Sequence, residues 1–350
     1  MSNIKLSAEF CENLANYTKN YTPENIFVLV DNNTQNYCLP LLREVFPALS
    51  DSRCICIASG DENKNLAAVA QIWEFLSRNR ATRHSLLVNL GGGMITDIGG
   101  FAAATFKRGM AYINIPTTLL GAVDAATGGK TGINFDGLKN EIGVFRQPLA
   151  SIVDTAFFAT LDEQNIYSAY AEMLKHALIS TVEDWKDILS FDFETIDYRQ
   201  LKVLVDRSIA IKQQIVEQDP DEKSLRKALN FGHTAGHAFE SLSHRQQRPV
   251  LHGYAVAWGL VCELYLSHVK LSFPKSEFLR LKNTVKAIFG TFAFTCSDYA
   301  QLYEFMQHDK KNESENINFT LLANIGDVRI NQTATRDEIF EMLDFFSANS

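Results

Sequence analysis

The segment Arg226 to His237, RKALNFGHTAGH, gathers side chains that can do chemistry. Arg226, Asn230, His233 and His237 follow at spacings of four, three and four. On an α-helix that spacing predicts one stripe. The opposite side carries Leu225, Leu229, Ala235, Ala238 and Phe239, an apolar face suited to a core. A merely solvated stripe would be Lys and Glu; this one holds groups that coordinate metals and donate hydrogen bonds. Gly232 and Gly236 remove side chains beside the histidines, so something can come close.

Two further segments supply acid and imidazole. In Ala171 to His176, AEMLKH, Glu172 and Lys175 share one face of an otherwise apolar helix. A buried Glu requires a cation or a metal as partner. His252-Gly253 opens another helix, after Pro249. One Glu and two or more His from separate helices suit a catalytic Zn²⁺ site, where three protein ligands leave positions open for substrate. Residue types alone do not choose among His176, His233, His237 and His252. On the helix Tyr198 to Gln218, Ser208 and Lys212 interrupt a stripe of Leu201, Leu204, Val205 and Ile215. A Lys on a packing face calls for an anion, unless its stem snorkels along the surface.

A nucleotide site is suggested where the apolar run Leu86 to Leu90 enters GGGMITDIGG. Gly91, Gly92 and Gly93 let backbone approach a ligand, and the following helix offers free N–H groups to a pyrophosphate. The order is not GxGxxG, because Thr96 stands where the third glycine would be. A glycine turn with only a packing role is the alternative. Gly99 and Gly100 predict close packing of that helix. Asp31 ends another strand and suits either a ribose hydroxyl or a helix cap. Lys64 suits a phosphate or plain solvent. Arg108, Lys130, Lys139, Lys310 and Lys311 each read alone as surface charge, but together they imply a small, strongly anionic substrate.

The elements that must position these groups fall into two parts. Ile26 to Asp31, Arg53 to Ser59, Leu86 to Leu90, Tyr112 to Ile115 and Ser151 to Asp154 are short apolar runs. Helical patterns at Leu66 to Leu76 and Ile95 to Phe106 separate some of them, which predicts βαβ units and a buried parallel sheet. Beyond about residue 158 the reading is helical: Glu163 to Leu178, Tyr198 to Gln218, Glu222 to Leu242, Gly253 to His268, Lys275 to Phe289, Asp298 to Gln307 and Arg336 to Phe346. Only Phe319 to Ile330 reads as a hairpin. The expectation is an α/β domain over residues 1–158 and a mainly α-helical domain over 159–350.

Composition bounds the function. The 350 residues are 46% hydrophobic and 21% charged, ordinary for a globular protein of about two domains. Against 33 Lys plus Arg stand 41 Asp plus Glu, a net charge of -8, which disfavours a nucleic-acid partner. No apolar run reaches the roughly 18 residues of a membrane helix, and Met1 to Asn13 lacks a leader pattern. A cytoplasmic protein is expected. The six cysteines form no CxxC pair and read as ordinary thiols.

The ordered stretches GGGMITDIGGF, TFKRG, IPTTLL, DAATGGKTGIN, GLKNEIGVF, AEMLKHALI, RKALNFGHTAGHAFE, HGYAVAWGL and HDKKN run from about residue 91 to 311. In them the chain closely resembles the 3-dehydroquinate synthase family of sugar-phosphate cyclases. The resemblance implies a Rossmann-like first domain and an NAD- and zinc- (or cobalt-) dependent lyase of the shikimate pathway to aromatic amino acids. It places the metal ligands on Glu172, His233 and His252. Substrate residues fall on Asp124, Lys130, Asn140, Lys175, Lys212, Arg226, Asn230, His237 and one of Lys310 and Lys311. Of these, Lys130, Lys175, Lys212, Arg226, Asn230 and His237 form the implied catalytic set. Arg108 is the family's arginine that reaches substrate phosphate across a homodimer. NAD would touch Asp31, Asn33, Lys64, Gly91, Gly92, Gly93, Asp97, Thr117, Thr118 and Lys130, with Lys139 near the nicotinamide. Asp61 stands where the family usually has Glu; the shorter acid can still reach the adenosine ribose. Tyr254 replaces the Glu that commonly follows His-Gly, which leaves open what orients the His252 ring. His176 falls where the family varies and reads as packing.

The family's substrate is 3-deoxy-D-arabino-heptulosonate 7-phosphate, and its product 3-dehydroquinate. The implied course is transient oxidation by NAD⁺, phosphate elimination, reduction, ring opening and aldol closure, with no net redox change. His237 is the expected acid–base group. A cleft between the two domains would hold the site and close on substrate. Rival readings are a related cyclase acting on another sugar phosphate and a metal-dependent NAD alcohol dehydrogenase of the same fold. Arg226 and Lys212 beside Asn230 favour an acid substrate.

Overall fold

The computed structural model describes residues 5–47, 53–136, 138–193, 195–308 and 317–348. Lys310 and Lys311 lie outside the described residues. The chain forms two compact units, Met1–Asp162 and Glu163–Ser350.

In the first unit, α1 (Ala8–Thr18) leads to β1 (Ile26–Asp31), whose six residues IFVLVD are all buried. A strand buried on both faces belongs inside a parallel sheet, and β1 lies between β2 (Cys54–Ile57) and β3 (Leu86–Gly91). β4 (Ala111–Pro116) completes the order β2-β1-β3-β4, with every pairing parallel. Helices α2 (Asn32–Tyr37) and α3 (Leu39–Val45) follow β1. Helix α4 (Leu66–Arg78) starts where Asn65 accepts from the Ala68 amide at 3.1 Å. It buries Val69, Ile72 and Leu76 at helical spacing against Phe27, Leu29, Leu87, Ile95 and Ile98. Each such side chain contributes about 1.5–3 kcal/mol. Helix α5 (Gly93–Thr105) rises directly from β3. The chain runs one way from β1 to β2 and the other way to β3 and β4. The order therefore reverses between β1 and β3, whose ends carry Asp31 and Gly91. Ligands of open α/β sheets bind beyond such a reversal.

Two stretches of this unit differ from the sequence reading. GGKTGIN and the LKN stretch, given no strand there, form the antiparallel hairpin β5 (Lys130–Phe135) and β6 (Leu138–Phe145). Gly132 and Gly143 face each other there; a Cβ on Gly143 would lie 2.3 Å from the Thr131 carbonyl. Conversely, Ser151 to Asp154 is no strand: only Ser151 bridges Asn114, and Asp154 caps the 3₁₀ turn Thr155–Thr160.

The second unit is mainly helical: α6 (Glu163–Leu178), α7 (Val182–Leu189), α8 (Tyr198–Gln218), α9 (His233–Arg245), α10 (His252–Leu271), α11 (Lys275–Phe289), α12 (Tyr299–Gln307) and α13 (Arg336–Ala348). The hairpin β7 (Asn318–Asn324) and β8 (Asp327–Thr333) precedes α13. The single helix expected across residues 222–242 is broken. Leu225–Asn230 is a 3₁₀ segment, Phe231 is non-helical, and Gly232 takes the left-handed conformation at φ 79°. No helix among the described residues is long and apolar enough to cross a membrane.

Candidate metal centre and glycine bend

Gly232 explains the break. A Cβ there would lie 2.6 Å from Leu260 Cδ2, and its positive φ disfavours any side chain. Having no side chain, it cannot cap α9 itself. Glu263, fully buried on α10, does so instead, accepting from the amides of Gly232 at 2.7 Å and Ala235 at 3.1 Å. His233 thus begins α9, and its Nδ1 lies 3.1 Å from the Phe231 carbonyl. The glycines expected to admit a ligand admit a helix: a Cβ on Gly236 would lie 3.0 Å from Ala255 O, and one on Gly259 only 2.0 Å from Gly232 O. α10 is joined to α6 in the same manner. Gly253 N donates to Ser168 Oγ at 3.0 Å, and a Cβ on Gly253 would stand 1.7 Å from Ser168 O.

These joints bring three donors together. Glu172 Oε1 lies 3.3 Å from His233 Nε2 and 3.5 Å from His252 Nε2. One ligand atom from each residue falls within 4.8 Å of the others. Glu172 is fully buried, and neither of its oxygens has a hydrogen-bond donor of good geometry. The ammonium of Lys175, also buried, forms an ion pair with Oε2. Both imidazoles have Nδ1 beside an oxygen, Phe231 O for His233 and Glu240 Oε2 at 3.0 Å for His252. With Nδ1–H donated there, both Nε2 atoms are left to face the Glu172 carboxylate. Acceptors focused on one point fit a divalent cation with N and O ligands.

Electrostatics agrees. Burial pushes the Glu172 carboxyl up, but Lys175 and His233 outweigh it and hold it well below the usual range. Burial lowers the His252 pKa, yet hydrogen bonds to Glu172 and Glu240 raise it to about 10. His252 therefore carries a proton at this focus when no metal occupies it. His237 joins the group, its ring centroid 5.4 Å from that of His233 and 5.9 Å from that of His252.

The other candidates of this unit have defined places. His176 is buried with Nδ1 2.7 Å from Ser208 Oγ, a packing role. Lys212 is buried on α8. Arg226 is buried and donates to Pro220 O at 2.7 Å; Asn230 donates to Glu222 Oε1 at 3.1 Å. They precede the break, so the four-residue stripe is split between two segments. Glu240 and Glu263 have no counterpart among the sequence-derived candidates. Glu240 could have been found, since it stands seven residues after His233 on one helical stripe.

In the first unit, Gly92 begins α5 without a side-chain cap, leaving its first amides without a side-chain acceptor. The bend is walled by the 117–125 segment: a Cβ on Gly92 would lie 3.0 Å from Thr118 Cγ2, and one on Gly93 3.1 Å from Ala125 Cβ. Thr117 N donates to Gly91 O at 3.0 Å, and Thr118 Oγ1 accepts from Gly121 N at 3.0 Å. Asp124 lies in the π-helical turn Gly121–Ala125. Lys64 is buried, not solvated. It pairs with Asp97 at 2.5 Å and contacts Asn140 Oδ1. Asp31 is the cap of α2, its Oδ1 accepting from Asn33 at 2.9 Å and Thr34 at 2.8 Å. Asp61 is already engaged, with Lys139 at 3.7 Å and the Asn134 amide at 3.2 Å. Lys130 is exposed at the start of β5. Arg108 is exposed at φ 68°, between Lys107 at φ 49° and Gly109 at φ 115°.

The family models described as 3-dehydroquinate synthase N-terminal and C-terminal match residues 54–168 and 169–312. The chain is 55% identical to a 3-dehydroquinate synthase of Parabacteroides distasonis, over 92% of this chain and 91% of that protein. It is 36% identical to one of Helicobacter pylori (strain 26695), over 92% of each. Solved structures share the fold. A 2-deoxy-scyllo-inosose synthase complexed with carbaglucose-6-phosphate, NAD⁺ and Co²⁺ superposes with a TM-score of 0.83 at 21% identity, covering 95% of this chain and 94% of that one. A 2-epi-5-epi-valiolone synthase from Streptomyces hygroscopicus with NAD⁺ and Zn²⁺ gives 0.80 at 23%, covering 93% and 91%.

Proposed function

The chain belongs to the 3-dehydroquinate synthase family, and from that premise we propose that it converts 3-deoxy-D-arabino-heptulosonate 7-phosphate to 3-dehydroquinate and phosphate. The observation that carries this reading is the buried Glu172 carboxylate faced by the Nε2 atoms of His233 and His252. We assign those three residues to a Zn²⁺ or Co²⁺ ion, and residues 159–350 to metal and substrate. Residues 1–158 are assigned to NAD, with the bend Gly91 to Gly93 facing its pyrophosphate and Lys64 and Asp97 beside it. The ion would acidify a substrate hydroxyl, and NAD⁺ would borrow one hydride and return it.

The chain's own residues supply the rest. His237, beside the three donors, takes and returns the hydroxyl proton. Lys175 balances Glu172 and offers further N–H groups. Lys130, Lys212 and Arg226 hold the anionic ends of the substrate with charge-assisted hydrogen bonds, while Asn140 and Asn230 hydrogen-bond it and Asp124 accepts from a substrate hydroxyl. Lys139 lies on the nicotinamide side. Two copies would pair, and the exposed Arg108 would reach the substrate phosphate of the partner. Phosphate leaves by elimination, so the reaction class is a carbon–oxygen lyase.

The test is incubation of the protein with the seven-carbon phosphate, NAD⁺ and Zn²⁺, following phosphate and nicotinamide absorbance together. Phosphate release without NADH accumulation is expected. Stoichiometric NADH would indicate an alcohol dehydrogenase instead, and no phosphate release would exclude the lyase.

A further inference from the structure

The geometry points to Glu240 as the positioning residue that fixes the imidazole of His252 for metal binding. This rests on the metal reading proposed above. Glu240 Oε2 lies 3.0 Å from His252 Nδ1, while the same ring turns Nε2 toward Glu172. The contact joins two helices, α9 and α10, and the Glu240 side chain is only 12% exposed. A carboxylate so placed selects the tautomer with hydrogen on Nδ1, leaves the Nε2 lone pair for a cation and makes the imidazole a stronger donor.

Tyr254, two residues beyond His252, does not take this part. Its ring packs edge-on against Phe289 at 5.2 Å and Trp258 at 6.1 Å. The orienting acid thus comes from the neighbouring helix. His233, His237 and Glu240 follow on one stripe of α9, so one helix supplies a metal donor, an acid–base group and the acid that sets the other donor's ring.

The test uses full-length protein, freed of metal and titrated with Zn²⁺ and Co²⁺, as wild type, Glu240→Ala, Glu240→Gln and His252→Ala. Glu240→Ala is expected to weaken Zn²⁺ binding about 10–100-fold. Glu240→Gln, nearly isosteric and still an acceptor, should fall between, and the visible bands of bound Co²⁺ should shift in both. Retained affinity within about twofold and an unshifted Co²⁺ spectrum in both Glu240 variants would overturn the inference, provided His252→Ala loses the metal. If His252→Ala binds like wild type, the metal assignment itself fails.

Discussion

Lys175 follows Glu172 by one turn of α6, and its ammonium meets the Glu172 carboxylate where neither is exposed to water. Such a pair stabilises little as a pair, because desolvating both charges offsets their attraction. Removing one partner is different. Lys175→Ala should cost the metal-free protein about 3–5 kcal/mol, the penalty of an uncompensated buried charge. A divalent ion would replace the missing charge. Zn²⁺ should therefore raise the melting temperature of Lys175→Ala more than that of wild type. Equal shifts would show that the ion does not sit beside Glu172.

Metal uptake should release protons. In the metal-free protein the His252 pKa is raised from 6.5 to about 10, so the ring is charged at neutral pH. A cation must displace that proton, and affinity should rise with pH. Calorimetry in buffers of different ionisation enthalpy should report about one proton per ion at neutral pH; zero would contradict it. The sign for stability follows from the raised value. The contribution of charged His252 is fully present below about 6.5 and is lost as pH rises toward about 10. The metal-free protein should lose stability across that window, and the metal-loaded protein should not.

Arg226→Ala should raise KM for the anionic substrate roughly 10- to 100-fold, because a charge-assisted hydrogen bond contributes about 1.5–3 kcal/mol. Steady-state kinetics decides it. An unchanged KM would exclude direct contact and leave Arg226 a structural role that includes its bond to Pro220 O.

Gly253→Ala would set a methyl 1.7 Å from a backbone oxygen that cannot turn aside. A loss of about 3 kcal/mol or more is expected from such overpacking, with weaker metal binding because His252 is the adjacent residue. An unchanged urea midpoint and metal affinity would refute the joint.

Much of this was legible in the residues. The amphipathic periods of α6, α8 and α11 predict their bounds, and the unbroken apolar run of β1 predicts a buried parallel strand. The β5–β6 hairpin was not legible, because the glycines of GGKTGIN interrupt strand alternation, although Asp136-Gly137 is a turn signal. The spacing from Arg226 to His237 fits one helix as well as two segments. What breaks it is Leu260, which meets Gly232 from a distant part of the chain. Asp31 shows the same limit in reverse, since its capping bonds to Asn33 and Thr34 are local and the sequence offered that role beside the ribose. The stripe of α9 could have singled out Glu240, but Glu240 and Glu263 act between helices, and no periodicity within one helix names the partner on another.

The contacts of Gly253 with Ser168 and of Gly259 with Gly232 are main chain on main chain. Three helices thereby meet through their backbones at these two points. The gauge between Glu172, His233 and His252 is accordingly set in part by peptide groups, which yield less than a side chain that can change rotamer.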